Sequence, residues 1–131
     1  MKLLSILLLI LSIISALMLT GNINSFFDGP SFLVVVLPVI ASIPARHGLL
    51  GFKLLFKDEE ERKEVLHSMG VTGIISGVLG THIGVVIMLG QLEDSSSIGP
   101  SMGVAVLPTF YGLFIFLLTT ILSHLNLGKE V

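Results

Sequence analysis

Long apolar runs alternate with short polar stretches along the chain, and this pattern predicts four membrane-spanning helices. The runs cover residues 3–19, 31–45, 70–90 and 100–123. A helix rises about 1.5 Å per residue, so about 20 apolar residues cross a bilayer, and the shorter second run requires a kink or local thinning. No run shows the period-two alternation of a half-buried strand. The predicted fold class is therefore all-α, a polytopic membrane protein with four transmembrane helices in a single domain over residues 1–131.

The first apolar run admits two interpretations. It follows the positive charge of Lys2 and has the small residues Ser15 and Ala16 near its end, as a secretory signal peptide does. No convincing Ala-X-Ala cleavage motif follows it, whereas three more hydrophobic runs do. We therefore interpret residues 3–19 as a retained first span.

The basic residues all fall on one side of the four predicted spans. Neither of the two loops on the other side, 21–30 and 91–97, contains a lysine or arginine. Positively charged residues favour the cytoplasmic side, so both termini and the segment 46–69 are predicted to be cytoplasmic. The seven basic residues are Lys2, Arg46, Lys53, Lys57, Arg62, Lys63 and Lys129.

The segment between the second and third spans, residues 46–69, is the one sizeable polar region. Apolar residues surround Lys53 between positions 49 and 56, which suggests an amphipathic helix at the membrane interface. The acidic run after it places Glu59 and Lys63 at i, i+4 spacing, which is typical of a solvated helix face leading into the third span. The alternative is a surface at which a partner docks. Such a surface would present Glu59, Glu60, Arg62 and Lys63.

The third run carries glycines at intervals of three and four residues, which places them on one stripe of a helix. In water each would weaken a helix by about 0.8–1.0 kcal/mol relative to alanine. In a bilayer the backbone has no alternative partner, so the helix persists and the stripe forms a groove for another helix. The stripe consists of Gly70, Gly73, Gly77, Gly80 and Gly84.

Composition narrows the classes of function. The 131 residues are 53% hydrophobic and 12% charged with a formal charge of −2, which is typical of a membrane protein surrounded by lipid and argues against a nucleic-acid partner. The absence of cysteine excludes disulfides, thiolate metal sites and a cysteine nucleophile. The four histidines show no i, i+4 pairing, and no nucleophile with a base or phosphate loop occurs. We therefore predict no enzyme activity, no metal site and no cofactor.

Polar residues inside the predicted spans mark the candidate chemistry, because the bilayer makes them expensive. Thr81 and His82 interrupt the third run, and Thr109 follows Pro108 in the fourth. The hydroxyls either line the path of an ion or bond the helix backbone, including the carbonyl that a proline leaves without a donor. His82 is either a satisfied or water-facing histidine or a proton relay, since imidazole exchanges protons near neutral pH. A proton path would otherwise require a carboxylate from another chain.

Three stretches of the chain resemble the MotA/TolQ/ExbB family, and within it subunits of the MotA type. The sequence GVLGTHIGVVIML (77–89) is similar to the family's third-span pattern of glycines and a Gly-Thr pair. IGPSMGVAVLPTFYGLF (98–114) resembles the opening of the fourth span, and FFDGPSFLVVV (26–36) the opening of the second. The three stretches occur in the family's order.

This resemblance implies a proton-channel, or stator, subunit of the bacterial inner membrane. It implies a ring-shaped homo-oligomer, a pentamer, around two copies of a single-span partner of the MotB or ExbD type. The third and fourth spans would line the pore, where a membrane aspartate of the partner takes and gives the proton. Thr81 and Thr109 match the family's threonines that face this path, and His82 is adjacent. Ion flow would turn one ring against the other and deliver mechanical work.

The chain also departs from the family's pattern. MotA carries a large cytoplasmic domain where only residues 46–69 stand here, so contact with a rotor does not carry over. Pro108 and His82 stand where a small and an apolar residue are usual. The alternative function is a non-conducting structural or assembly protein whose glycine stripe serves packing alone. A solute transporter is disfavoured, because no inverted repeat relates the two halves.

Overall fold

Helices form every regular element of residues 2–57, 59–90 and 95–124, the part of the chain that the computed structural model describes. The all-α prediction is confirmed for these residues. The helices are α1 (Lys2–Leu19), α2 (Gly29–His47), α3 (Gly51–Leu54), α4 (Glu59–Leu89) and α5 (Ile98–Ser123), with 3₁₀ turns at Ile23–Phe26 and Ser95–Ser97.

Three of these helices, α2, α4 and α5, are long and apolar enough to cross a membrane. α1 contributes a shorter apolar helix, Ile6–Leu19. At 1.5 Å per residue this stretch is about 21 Å long and the whole of α1 about 27 Å, against about 30 Å for the hydrocarbon core of a bilayer. Among the described residues there are thus three candidate spans, where the sequence predicts four.

The second helix is longer than the predicted span of 31–45 because both of its ends are capped. Asp28 accepts a hydrogen bond from the backbone N–H of Ser31 at 2.9 Å, so the helix begins at Gly29. The helix continues through Pro44 and past the predicted end of the span at residue 45, as far as His47. It ends where Gly48 adopts a φ of 70°, the left-handed conformation that glycine accommodates without strain.

The acidic run and the glycine run belong to one helix. α4 begins at Glu59 and runs for 31 residues, so it includes the end of the polar segment as well as the predicted span. The amphipathic helix expected between positions 49 and 56 is reduced to the single turn of α3. Gly48 ends α2 just before this turn, and Leu49 and Phe56 on either side of it are 89% and 91% exposed.

Helices α2, α4 and α5 pack together, and α4 and α5 run antiparallel with the closest approach. Gly70 of α4 lies beside Phe116 of α5, while Gly84 lies beside Ala105. α2 covers one side of this pair, with its buried Val35 at the level of Ser76, whose hydroxyl is 3.4 Å from the Val35 carbonyl oxygen.

α1 lies outside this three-helix unit. An apolar cavity of about 640 Å³ separates it from α2 and α5. The cavity is lined by Ile10, Ile13, Ile14 and Leu17 of α1 and by an aromatic group of Phe26, Phe27, Phe32, Phe110, Tyr111 and Phe114.

Candidate functional site

The centre of the α4–α5 contact is built from glycine and proline. A Cβ added to Gly77 would lie 2.6 Å from the carbonyl oxygen of Pro108 and 3.2 Å from the Cα of Gly112. A Cβ at Gly80 would lie 2.7 Å from the Cβ of Pro108 and 2.9 Å from Val34 of α2. The two backbones thus approach more closely than any residue with a side chain would allow.

The remaining glycines of the predicted stripe lie along the same contact. Gly73 is next to Ile115 and the carbonyl of Gly112, and Gly84 is next to the backbone of Ala105. A Cβ at Gly70 would meet the hydroxyl of Thr119. All five glycines therefore face α5.

Two of the predicted site residues, Thr81 and Thr109, meet across this contact. Their Oγ1 atoms are 2.7 Å apart, and the backbone N–H of Thr109 donates to the Thr81 Oγ1 at 3.2 Å. The Thr109 hydroxyl is 3.3 Å from the carbonyl oxygen of Gly77, to which it donates. Both threonines are half-buried. The hydroxyl of Thr109 thus bonds across the helix contact instead of capping the backbone of its own helix.

The positions of the protons in this contact follow from the acceptors. A carbonyl oxygen only accepts, so the Thr109 proton points at Gly77 and its oxygen accepts from the hydroxyl of Thr81. Each hydroxyl oxygen has two lone pairs, and each uses one of them within the pair. Two lone pairs remain, while both hydroxyl protons are engaged. The pair can therefore accept a hydrogen bond or coordinate a cation, but it has no proton left for an anion.

His82 lies apart from the threonine pair. Its side chain is exposed, and its Nδ1 is 2.8 Å from the carbonyl oxygen of Val78, one turn earlier on α4. The structure thus brings together Thr81 and Thr109 and places His82 on another face of α4.

The residues of the possible docking surface divide into two groups. Glu59 and Lys63 form the predicted i, i+4 ion pair at 2.7 Å, and Glu60 is exposed. Arg62, however, is only 8% exposed and lies on the inner side of α4. A surface formed by this part of α4 would present the two glutamates and the lysine.

Two connections between helices were not predicted from the sequence. The hydroxyl of Ser76 is 2.8 Å from the carbonyl of Thr72 on its own helix and also lies near the Val35 carbonyl of α2. Tyr111 of α5 donates to the carbonyl of Phe26 at 2.6 Å and accepts from the backbone N–H of Asp28 at 3.1 Å. A hydroxyl within the glycine stripe is the sequence signal that could have indicated the first of these.

These helices and the threonine contact define the class of protein, a helical membrane protein with an oxygen-lined contact between two antiparallel spans. The chain belongs to the MotA/TolQ/ExbB proton channel family, whose profile matches residues 53–129, more than half of the chain. The match includes all of α4 and α5 and hence both threonines. The family and the three apolar helices together make it a multi-pass inner-membrane protein.

Curated relatives align with shorter stretches. Motility protein A of Cereibacter sphaeroides is 55% identical over 40 residues, which are 30% of this chain and 16% of that protein. Chemotaxis protein PomA of Vibrio alginolyticus is 42% identical over 48 residues, 37% of this chain and 19% of that protein. Motility protein A of Borreliella burgdorferi is 56% identical over 36 residues, 28% of this chain and 14% of that protein. The chain thus aligns with less than a fifth of each of these relatives.

Proposed function

We propose that this chain is the channel subunit of a stator-type complex and conducts an ion, a proton, through a ring of its own copies. In this proposal five copies surround two copies of a single-span partner of the MotB or ExbD type, whose membrane aspartate exchanges the ion. The flow of the ion is coupled to mechanical work. α1 serves as a first span in the assembled ring, and both termini and the segment 46–69 are cytoplasmic.

The observation that carries this proposal is the pair of hydroxyl oxygens between Thr81 and Thr109. Each of the two oxygens keeps one lone pair, and both hydroxyl protons are already in hydrogen bonds. The pair can therefore bind a hydrated proton or another cation but not an anion. The pair lies in the part of the chain that matches a proton channel family. Membrane helices rarely place polar groups at this depth without a functional or packing reason, and the backbone of α4 is already satisfied by its own helix. Membership of the family and the names of the relatives, which refer to motility and chemotaxis, support the same reading.

The test is ion flux in proteoliposomes that contain the chain and a candidate single-span partner with a membrane aspartate. Thr81→Ala and Thr109→Ala should each reduce flux about tenfold, since each removes a contact of about 1.4 kcal/mol from the path. Thr72→Ala is the matched control, because the Thr72 hydroxyl donates to the Ser68 carbonyl of its own helix at 2.8 Å. It should leave flux unchanged, and Thr81→Ser should retain it.

Assembly is measured on the same variants by native mass in detergent. The threonine variants should form the same ring as the wild type, with five copies and bound partner. Equal flux in the wild type and both alanine variants, with the ring intact, would contradict the proposal.

A structural protein without conduction is the second candidate, and the tight glycine contact favours it. Under that reading the threonine variants change neither assembly nor flux. Gly77→Leu disturbs the α4–α5 contact within one subunit and should therefore destabilise the protein under either candidate function. A wild-type chain that forms a ring but conducts nothing, with or without the partner, would select this candidate.

A further inference from the structure

His82 occupies the middle of the span formed by α4, where a polar ring requires a physical reason. Its Nδ1 lies 2.8 Å from the carbonyl oxygen of Val78. A carbonyl oxygen can only accept, so Nδ1 carries the proton of the neutral ring and donates it there. The other nitrogen, Nε2, then carries a lone pair. His82 thus presents a proton-accepting atom rather than a donor.

The direction of this side chain follows from the contacts of Gly80. Gly80 lies between the other two helices, close to both Val34 of α2 and Pro108 of α5. Each residue of an α-helix is turned by about 100° from the one before it, so His82 is about 200° around α4 from that point. His82 therefore faces away from both packed helices, on the outer side of the subunit.

Lipid chains alone cannot surround this outer side of α4 without leaving the Nε2 atom of His82 unsatisfied. Leu79, Ile83 and Val86 surround His82 there and are all exposed, which suits lipid. The lone pair of Nε2 in their midst has no partner in an acyl chain, and an unsatisfied polar group at bilayer depth is expensive. The lone pair of Nε2 needs a hydrogen-bond donor, which either water or a polar group of another chain can supply. Thr81, the preceding residue, lies on the side of α4 that turns toward Thr109.

No other ionisable group in the described part of the chain faces this ring. On α4 the nearest are His67 and Glu64, and His67 precedes His82 by fifteen residues, or about 22 Å along the axis. Asp28, the N-cap of α2, lines a cavity with Gly80 and Gly84 on the packed side of α4, and its carboxylate accepts from the backbone N–H of Ser31. The other ionisable groups of α2 and α3 lie at or beyond the far end of α2, and in α5 the Tyr111 hydroxyl is bonded to the carbonyl of Phe26. Those groups are Arg46, His47 and Lys53.

We propose that Nε2 of His82, one residue along α4 from Thr81 but on another face of the helix, is a proton-exchange site on the ion path. The neutral ring accepts a proton at Nε2 from hydronium, which leaves as water, and becomes an imidazolium. It then releases that same proton from Nε2 to a water on the other side, while Nδ1–H stays on the Val78 carbonyl. This proposal rests on the proposed channel function. It also specifies the ion as a proton, because hydroxyl oxygens alone also suit sodium whereas an imidazole exchanges protons only.

The test is proton flux against pH in proteoliposomes that contain the chain and its single-span partner, with and without sodium. His82→Gln keeps a polar side chain but cannot titrate, and His67→Gln is the matched control, an exposed histidine on the same helix. The wild type should conduct without sodium, with a flux that depends on pH. His82→Gln should lower flux about tenfold or more and abolish this pH dependence, and His67→Gln should change neither.

The outcomes separate this inference from the channel function itself. No flux in the assembled wild type would refute the channel function. Wild-type flux that is unchanged in size and pH profile in His82→Gln, or that requires sodium, would overturn the role of His82 and leave the channel function standing. If His82→Gln fails to assemble, nitrogen NMR of the wild-type ring decides. Proton exchange requires the neutral and the doubly protonated forms of the His82 imidazole to interconvert in that assembly, and an imidazole that takes up no second proton at any pH at which the wild type conducts would overturn the inference.

Discussion

The α4–α5 contact and the helix α1 contain similar residues but use them in opposite ways. In α1 the hydroxyls of Ser12 and Ser15 donate to carbonyls three residues earlier on the same helix, at 2.8 and 2.9 Å. In the α4–α5 contact the hydroxyls of Thr81 and Thr109 bond to each other and to the opposite helix. Hydroxyls in a span bond locally by default, so a bond between helices requires that the backbones come close first. The glycines of α4 provide that approach.

Packing shows the same difference. The α4–α5 contact has no room for a single added carbon at Gly77. α1 is separated from its neighbours by a cavity of about 640 Å³, and Leu7, Leu8 and Leu11 are all more than half exposed. The geometry of α4 and α5 is thus determined by residues of this chain, whereas the position of α1 depends on what surrounds the subunit. Lipid tails are as apolar as leucine, so an apolar surface alone does not hold a helix in place.

The largest expected effect comes from adding a single methyl group to the α4–α5 contact. Gly77→Ala would bring a Cβ to 2.6 Å from the carbonyl oxygen of Pro108, and backbone cannot move aside as a side chain can. We expect the free energy of unfolding to fall by about 1–3 kcal/mol, the usual cost of overpacking. Equilibrium unfolding in mixed micelles, followed by energy transfer between dyes on α4 and α5, would measure it.

Gly103→Ala is the matched control for this change. Gly103 lies in α5 with nothing within 4 Å of an added Cβ. Its replacement should leave stability unchanged or slightly higher, because alanine favours a helix. If both variants were equally stable, the close approach at Gly77 would not be what holds the two helices together.

A smaller effect is expected from the hydrogen bond between the two threonines. In a double-mutant cycle of Thr81→Ala and Thr109→Ala, we expect a coupling energy of about 1 kcal/mol in the free energy of unfolding, because the two hydroxyls bond each other. The bond from the backbone N–H of Thr109 to the Thr81 hydroxyl does not enter this coupling, since Thr109→Ala keeps its donor. The cycle of Thr81→Ala with Thr72→Ala serves as the control and should give a coupling below about 0.5 kcal/mol. A coupling near zero in the first cycle would mean that the bond contributes nothing to the contact.

The sequence was sufficient to predict a helix where a long apolar run ends at clear polar boundaries. The fourth predicted span, 100–123, differs by only two residues from α5, Ile98–Ser123. Residues 49–56 were wrongly predicted as a helix because apolar residues around a lysine resemble an amphipathic pattern. α2 extends to His47, so the next helix begins only at Gly51, where an added Cβ would lie 2.9 Å from Ile43 and His47, and only one turn forms.

The site could be predicted only in part. The glycine spacing and the resemblance to the family directed attention to Thr81 and Thr109, which are 28 residues apart. Their mutual hydrogen bond depends on the register of two antiparallel helices, and that register is set by the depth at which Gly77 meets Pro108. The inward position of Arg62 could not be predicted either. A run of charged residues does not show which face of the helix is buried until the neighbouring helices are placed.

The smallest effect is expected in α1, and it would sharpen the contrast between the two regions. Leu11→Ala removes a side chain that is 55% exposed, so the isolated subunit should lose less than about 0.5 kcal/mol of unfolding free energy. Leu107→Ala on α5 removes the same atoms from a site that is 5% exposed, and it should cost well over about 1 kcal/mol because contacts are lost on all sides. Measuring both variants in the same mixed micelles compares one substitution in two surroundings. A loss at Leu11 equal to that at Leu107 would show that α1 is held by its own subunit after all.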